Sequence, residues 1–559
     1  MVDNSRVANV FNEYFGSVFS HDDNIPPVPF TPPAHNEMPT VSFDTVKIKS
    51  LIRSIKSSSP GPDNIHPILL KNLADELATP LSIIFNKSYN TATLPSDWLI
   101  SHVRPIYKGS GSRFSPDNYR PVSLTSVVCK LMESIIKDAI LQHMLTQHLF
   151  TPYQHGFLPK RSTLSALLST HFDWINSIKS HTHTHCVFFD LSKAFDSICH
   201  RKLLYKLSLY SLHPVCLAWI KAFLSDRSQR VKIKSCLSNP ITCSSGTPQG
   251  SVLSSILFTI YINDLPSVIH HSNICLFADD VKLYKSIATQ ADIENLQSDI
   301  NCLSAWCKSW ELKLNLKKCA VLSFGPVTIN RPTCDYTLNN STIPVTSTYK
   351  DLGILTSDSL HFSQHCYKIA KAAHNRANLI LRAFPYSNIP TLCNLFCTYV
   401  RPLLEYNSQI WSPHTLECID LLENVQRAFT RRLPGLNRLS YPDRLILTNL
   451  PSLEIRRLRA DCMLAFNIVH HKLYVSNTND IFRLRSQIGL TNAIVTRGHN
   501  LKIFVSQSNC DIVKFSFFHR VVNVWNSLDF NVVNAVNCHE FNERLSDIHL
   551  LPFLRGRAI

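Results

Sequence analysis

The sequence predicts an α+β fold, a sheet with helices on one face followed by a helical domain. Three observations carry that expectation. Residues 186–284 alternate strand-like apolar runs with helical patterns, residues 273–284 form two short strands around a tight turn, and residues 362–471 combine helical periodicity with many arginines. At 559 residues the chain exceeds what a single core supports, and roughly three or four subdomains follow.

Taken in order, residues 7–18 are a short helix candidate, and PPVPFTPP at 26–33 is a linker that can hold neither helix nor central strand. Helical patterns at 46–55 and 65–89 are split by SSSPGP at 57–62. The run CVFFDL at 186–191 is β-branched, aromatic and apolar, the pattern of a buried strand, and it closes on an acid. Residues 200–210 and 214–224 read as helices, 229–234 as a strand and 251–262 as a largely apolar helix. Two short strands, 273–277 and 281–284, flank Ala278-Asp279-Asp280, so this hairpin presents two carboxylates at its tip. Gly and Pro at 324–332 mark another change of unit.

Composition narrows the class. An apolar fraction of 45% and a charged fraction of 17% exclude a disordered or fibrous chain. The net charge of +16 suggests a polyanionic partner, nucleic acid or membrane surface. No uncharged apolar run is long enough to span a bilayer, and residues 1–20 lack a leader's apolar centre. A reducing compartment follows, with the 18 scattered cysteines as reduced core residues. Cys393 and Cys397, one helical turn apart without a second pair, read as core and not as a zinc site.

The acids carry the chemistry. A buried strand seldom ends in an isolated carboxylate, because burial is costly unless the group is paired or bound to a metal. Here one strand ends in Asp190 and a separate hairpin carries Asp279 and Asp280. If the strands are neighbours, the three carboxylates converge on hard-oxygen ligation suited to magnesium. Two such ions about 4 Å apart can activate a 3′-hydroxyl and stabilise a leaving pyrophosphate. An Asp-Asp pair alone means little, since Asp22-Asp23 is another one without strands around it.

The surroundings make the pattern specific. Phe188-Phe189-Asp190-Leu191-Ser192-Lys193-Ala194-Phe195-Asp196, Gly246-Thr247-Pro248-Gln249-Gly250-Ser251-Val252-Leu253 and Phe277-Ala278-Asp279-Asp280 occur in that order. They resemble motifs A, B and C of reverse transcriptases, and the wider pattern resembles non-LTR (LINE-type) retrotransposons of the jockey and related groups. Ser59-Pro60-Gly61-Pro62-Asp63 and Tyr119-Arg120-Pro121-Val122-Ser123-Leu124 are similar to the family's finger motifs, and Gly156-Phe157 with Arg161-Ser162-Thr163 to another block. Leu314-Asn315 with Lys318 resembles motif D, Tyr349-Lys350-Asp351-Leu352-Gly353 the primer-grip motif E, and Phe518-His519-Arg520 to Trp525-Asn526-Ser527-Leu528 the C-terminal segment.

The resemblance implies a right-hand polymerase: N-terminal extension and linker at 1–45, fingers at 46–185, palm at 186–360, helical thumb at 361–471 and a C-terminal region at 472–559. It implies an RNA-directed DNA polymerase that adds dNTPs to a primer 3′-OH on an RNA template, using two magnesium ions or manganese in their place. Asp190, Asp279 and Asp280 would hold the metals, with a backbone oxygen from Leu191. Lys108 and Arg120 would hold the triphosphate, Lys as a point charge and Arg through its fork. Phe195 would exclude a ribose 2′-OH, Gln249 at the start of the motif B helix would contact the nucleotide, and Gly246 and Gly250 would allow close backbone approach. Lys318 would protonate pyrophosphate. Thr247 and Ser254-Ser255 depart from the family's usual motif B residues.

A polymerase tracks a duplex through its phosphates. Arg427, Arg431 and Arg432, followed by Arg438, Arg444, Arg456, Arg457 and Arg459, are the candidate thumb grip, with Arg427 and Arg431 four apart on one face. His181, His183 and His185 lack acid or thiol partners nearby and read as a loop. Finger motifs beginning near Lys56 leave no room for an upstream endonuclease, and neither an RNase H acid set nor a zinc knuckle is evident. The chain is therefore expected to be the polymerase part of such an element, acting in nucleus or cytoplasm without a membrane, its oligomeric state open. The competing reading is a catalytically idle, retrotransposon-derived nucleic-acid-binding protein. A different palm enzyme is disfavoured by Phe195 and the Phe-Ala-Asp-Asp block.

Overall fold

The computed structural model describes residues 3–20, 22, 30–56, 59–325, 335–475, 481–485, 498–505 and 510–556. Strand His183–Ser192 lies inside an antiparallel sheet ordered Ala320–Phe324, His183–Ser192, Asp280–Ile287, Asn273–Phe277. Short strand Lys313–Leu314 pairs with its far end. Successive side chains of a strand face opposite ways. Val187, Phe189 and Leu191 enter one core with residues of helices His200–Leu209, Ser254–Tyr261 and Gln290–Ser309. Cys186 and Phe188 enter a second core with helix Thr163–Lys179 and the C-terminal helices. Both faces are therefore covered, not one as expected. That is why residues 186–189 of the strand are continuously apolar instead of alternating with polar residues.

The strand also starts earlier than its apolar run. His183 and His185, expected in a loop, are buried within it, and His185 Nδ1 lies 2.9 Å from the Tyr336 hydroxyl. Hairpin Thr348–Asp351/Ile354–Ser357 closes against the sheet, where the Tyr349 ring stacks on Phe188 at 4.0 Å and Lys282 pairs with Asp351 at 2.5 Å.

A second sheet joins distant segments. Ile100–Tyr107 pairs antiparallel with Tyr119–Leu124 and parallel with Ser228–Ile233, which also pairs with Cys236–Leu237 and Ile241–Thr242. Helix Asn4–Gly16, started by the Asp3 cap, packs on this sheet by burying Ala8 and Phe15 against Val103 and Val231. Asn12 donates to the Asn239 carbonyl at 2.7 Å and accepts from Gln229 at 3.1 Å. Residues 3–20 are thus part of the body, whereas the linker reading set this segment apart. Residues 26–29 of that linker, 57–58 of the SSSPGP break and 326–332 of the third lie outside the described residues.

Local departures have local causes. The helical stretch 65–89 is two helices, Pro67–Asn72 and Ala74–Thr91, broken at Leu73. The apolar helix starts at Ser254, and the backbone N–H groups of Val252 and Leu253 just ahead of it donate to the buried Glu133 carboxylate at 2.7 and 3.1 Å. Residues 363–469 are helical as expected, and the C-terminal helix Phe517–Ser527 shares their core. Cys393 is buried, and Cys397 accepts from Arg401 at 3.1 Å. Among the described residues no helix is long and apolar enough to cross a membrane.

Candidate active site

The register of the central sheet decides where the acids go. Asp190 is directly opposite Asp280, and the hairpin's last pair is Phe277 with Asp280, leaving Ala278 and Asp279 as a two-residue turn. Opposed residues of an antiparallel pair point to the same side about 5 Å apart. Asp190 and Asp280 therefore share one end of the sheet, with Asp279 beside them.

The turn needs support. Ala278 has φ +53°, a left-handed conformation that a residue with a Cβ adopts at a cost. Its N–H donates at 2.9 Å to Gln154 Oε1, which also accepts from Gly156 N–H at 2.7 Å. Tyr153 and His155 add backbone hydrogen bonds to both sides of Leu276, at 2.9 and 2.8 Å. Arg161 fixes this bracing loop by donating to the carbonyls of Thr151, Pro152 and Gln154. Gly156 fits because its neighbour is backbone: a Cβ there would lie 2.5 Å from Ala278 N. Gln154 was missed in the sequence, although a glutamine two residues before the Gly156-Phe157 block was its visible trace.

The three acids line a cavity of about 650 Å³ together with Lys108, Arg120, Lys193 and Lys318. Burial, then the Asp190 charge, raises the Asp279 carboxyl above the usual range. Burial followed by Asp279 and Asp351 pushes Asp280 up to about 6. Lys318 Nζ donates to both Asp190 oxygens, at 3.2 and 3.1 Å. Lys108 donates to the Asp117 carbonyl at 2.6 Å, and burial, then its cationic neighbours, lowers its pKa. Arg120 is exposed on strand Tyr119–Leu124. Leu191 is buried at the cavity wall.

Phe195 also lines the cavity, its ring stacked on Phe258 at 4.5 Å and edge-on to Phe157 at 6.1 Å. Gln249 lies there too, but ahead of the helix and not at its start. Its side-chain amide donates to both Asp196 oxygens at 2.9 and 2.8 Å. The glycines of this block do not bring backbone to the cavity. Gly250, at φ +131°, leaves room for the Ser123 carbonyl 2.4 Å from where a Cβ would be, and Gly246 does the same for Asp196. They let this segment pack closely against strand Tyr119–Leu124 and the turn around Asp196.

The arginine series divides on burial. Arg444 and Arg457 are buried, Arg456 pairs with Glu405, and Arg459 reaches the Ser546 carbonyl. Arg427 is held by Asn424 and lies over the Tyr441 ring at 5.1 Å. Arg431, Arg432 and Arg438 are exposed, Arg432 donating to Asn378. The expected grip therefore shrinks to the end of helix Leu416–Arg431 and the turn beyond it.

Residues 106–362 match the family described as reverse transcriptase (RNA-dependent DNA polymerase). That span takes in every titratable residue lining the cavity except Tyr14. The chain is 28% identical over 406 residues to the probable RNA-directed DNA polymerase from transposon BS of Drosophila melanogaster, covering 69% of this chain and 44% of that protein. It is 26% identical over 415 residues to the RNA-directed DNA polymerase from mobile element jockey of the same fly, covering 72% and 45%. The corresponding protein of transposon X-element is 25% identical over 409 residues, covering 71% and 45%. The chain thus spans less than half the length of these relatives. Residues 106–362 are a reverse transcriptase domain, carried in a chain similar to the RNA-directed DNA polymerases of non-LTR retrotransposons.

Proposed function

We propose that the chain is an RNA-directed DNA polymerase that extends a primer 3′-hydroxyl with dNTPs on an RNA template. The observation that carries this reading is the pairing of Asp190 with Asp280, beside Asp279, at one end of a cavity whose other wall is cationic. Three clustered carboxylates, of which Asp279 and Asp280 are raised above the usual range by burial and by their acidic neighbours, are an oxygen donor set fitted to a hard divalent cation. When bound by Asp190, Asp279, Asp280 and the Leu191 carbonyl, two magnesium ions, or manganese, would lower the cost of deprotonating the 3′-hydroxyl and of releasing pyrophosphate.

The chain's own residues do the rest. Lys108 and Arg120 bind the triphosphate, and Phe195, fixed by Phe258, closes the space a 2′-hydroxyl needs. Lys318 binds the same phosphates and gives a proton to pyrophosphate. Gln249 acts on the nucleotide only if it leaves Asp196; as it stands it holds the wall that Asp196 shares. In hand terms, the sheet of 100–124 and 228–242 with helix Asn4–Gly16 belongs to the fingers, the acid-bearing sheet to the palm and the helices from Ser363 to the thumb. Arg431 and Arg432 meet template–primer phosphates. The proposed place of action is nucleus or cytoplasm, where template and primer are found.

The test is primer extension by the purified chain on an RNA template with dNTPs and magnesium, beside the Asp279→Ala/Asp280→Ala variant. Extension by the natural sequence alone supports the reading. If neither extends while both bind the duplex with steep salt dependence, the chain is an idle nucleic-acid-binding relative.

A further inference from the structure

The cavity has a wall that does not belong to the matched domain. Tyr14 and Phe15 of helix Asn4–Gly16, and Val18 after it, line the same cavity as the three acids. Lys193 follows the acid-bearing strand, at φ +49°, a turn conformation that sends its side chain back over the cavity. Its Nζ donates to the Tyr14 hydroxyl at 2.8 Å and sits over the Tyr14 ring at 4.0 Å from the centroid. Two carboxylates, Asp196 and Asp117, compete for that ammonium, and both line the cavity.

We propose that the N-terminal helix completes the nucleotide site, with Tyr14 a positioning residue that holds Lys193 as a further cation for the triphosphate of the incoming nucleotide. This rests on the polymerase reading above. The argument is one of charge and tether. Five carboxylates face four cations in the cavity, so an anionic triphosphate needs each ammonium directed at it. A lysine on a flexible stem loses rotamer freedom when held, and it would otherwise turn to Asp196 or Asp117. The phenol hydroxyl is a neutral acceptor and the ring a weak cation site. Together they keep Lys193 at the cavity without neutralising it.

The tether has its own foundation. Phe15 and Ala8 are buried against Val103 and Val231, and Asn12 is tied to Gln229 and Asn239. Beyond the helix, Ser20 N–H donates to Ser245 Oγ at 2.8 Å and Ser20 Oγ to the Ser197 carbonyl at 3.0 Å. Removing only the Tyr14 hydroxyl therefore leaves the helix docked.

The experiment uses the full chain, measuring dTTP affinity by calorimetry with magnesium and template–primer, and KM and kcat by primer extension, for Tyr14→Phe, Lys193→Met and the double variant. Tyr14→Phe is expected to weaken dTTP binding and raise KM about fivefold to tenfold, the worth of one charge-assisted hydrogen bond, while kcat changes far less. The double variant should be no weaker than Lys193→Met alone, since the tether acts through the lysine. Unchanged dTTP affinity in Tyr14→Phe, effects that add in the double variant, or no dTTP binding by the natural sequence each overturns the proposal. Tyrosine-dependent dTTP binding in a chain that extends no primer would uphold it and sink the polymerase reading instead.

Discussion

Replacing Gly156 with alanine tests whether the bracing loop sets the position of the acid-bearing turn. The added Cβ would stand 2.5 Å from Ala278 N, 3.1 Å from Ala278 Cα and 3.1 Å from Gln154 Oε1. Ordinary contact begins near 3.4 Å, so the turn or the loop must retreat by about 0.9 Å. Neither side yields cheaply, because the loop is tied to Leu276 by two backbone hydrogen bonds and to Arg161 by three carbonyls. The backbone of Gly156 is not left-handed, so the effect is one of space and not of φ. A shift near 1 Å at a reacting centre costs about a hundredfold in rate, and overpacking costs about 1–3 kcal/mol of stability. Single-turnover primer extension should therefore show kcat reduced about a hundredfold, with dTTP affinity within a few-fold, because the cations of the cavity are untouched. Urea denaturation run alongside separates the slow, folded variant from a partly unfolded one. A folded Gly156→Ala protein with the natural kcat would refute the idea that this loop positions Asp279.

Three further perturbations follow from particular contacts. Lys282→Met strands Asp351 as a buried, unpaired charge and should lower stability by about 3–5 kcal/mol; Lys282→Met/Asp351→Leu should recover most of it in urea denaturation, and no recovery would count against the pair. Phe195→Ala removes the ring stacked on Phe258 and should raise relative use of ribonucleotides by about tenfold or more, read as the ratio of kcat/KM for UTP and dTTP; an unchanged ratio removes Phe195 from sugar selection. Burial pushes Asp196 up to about 6 against the ordinary carboxylate range, so the folded chain holds that proton more tightly than the unfolded one. Its contribution is fully present below about pH 4 and is lost as pH rises through about 6. Asp196→Asn should thus gain stability relative to the natural sequence above pH 6, by at most about 3 kcal/mol, and little at pH 4; a gain independent of pH would contradict the assignment.

How far each feature was legible depended on whether its cause lay within one segment. The acid-bearing strand and hairpin were readable because strand periodicity, an abrupt acid and a two-residue turn are local patterns. That the sheet is covered on both faces was also implicit in CVFFDL, whose lack of alternation says buried on either side. The N-terminal helix was found in the sequence and then misplaced, since a proline-rich run looks like a separator whether or not the helix beyond it docks elsewhere. Its docking rests on Asn12, Phe15 and Tyr14 meeting residues as far away as Gln229 and Asn239. Gln154 meets its partner 124 positions on. Neither approach leaves a trace in spacing.

The charged and glycine positions show the same division from the other side. Spacing of four correctly put Arg427 and Arg431 on one helical face, but whether that face meets solvent was decided by Tyr441, Asn424 and Asp420. Gly250 has a conformation that favours glycine, as its motif implied, and within the chain the atom that approaches it is the Ser123 carbonyl. A motif fixes which residue types a backbone needs, whereas partners are set by packing. The acids escape this limit because their repulsion leaves so few arrangements. Burial and their acidic neighbours raise Asp279 and Asp280, so a fold that keeps these acids together without compensation loses stability as the two ionise. Their place side by side is therefore better explained by a cationic occupant than by the contacts of the described residues, in which Lys318 donates to both oxygens of Asp190. That pair is exposed on the lysine side and worth little, so the acid end of the cavity is suited to a divalent cation, which would offset its charge there.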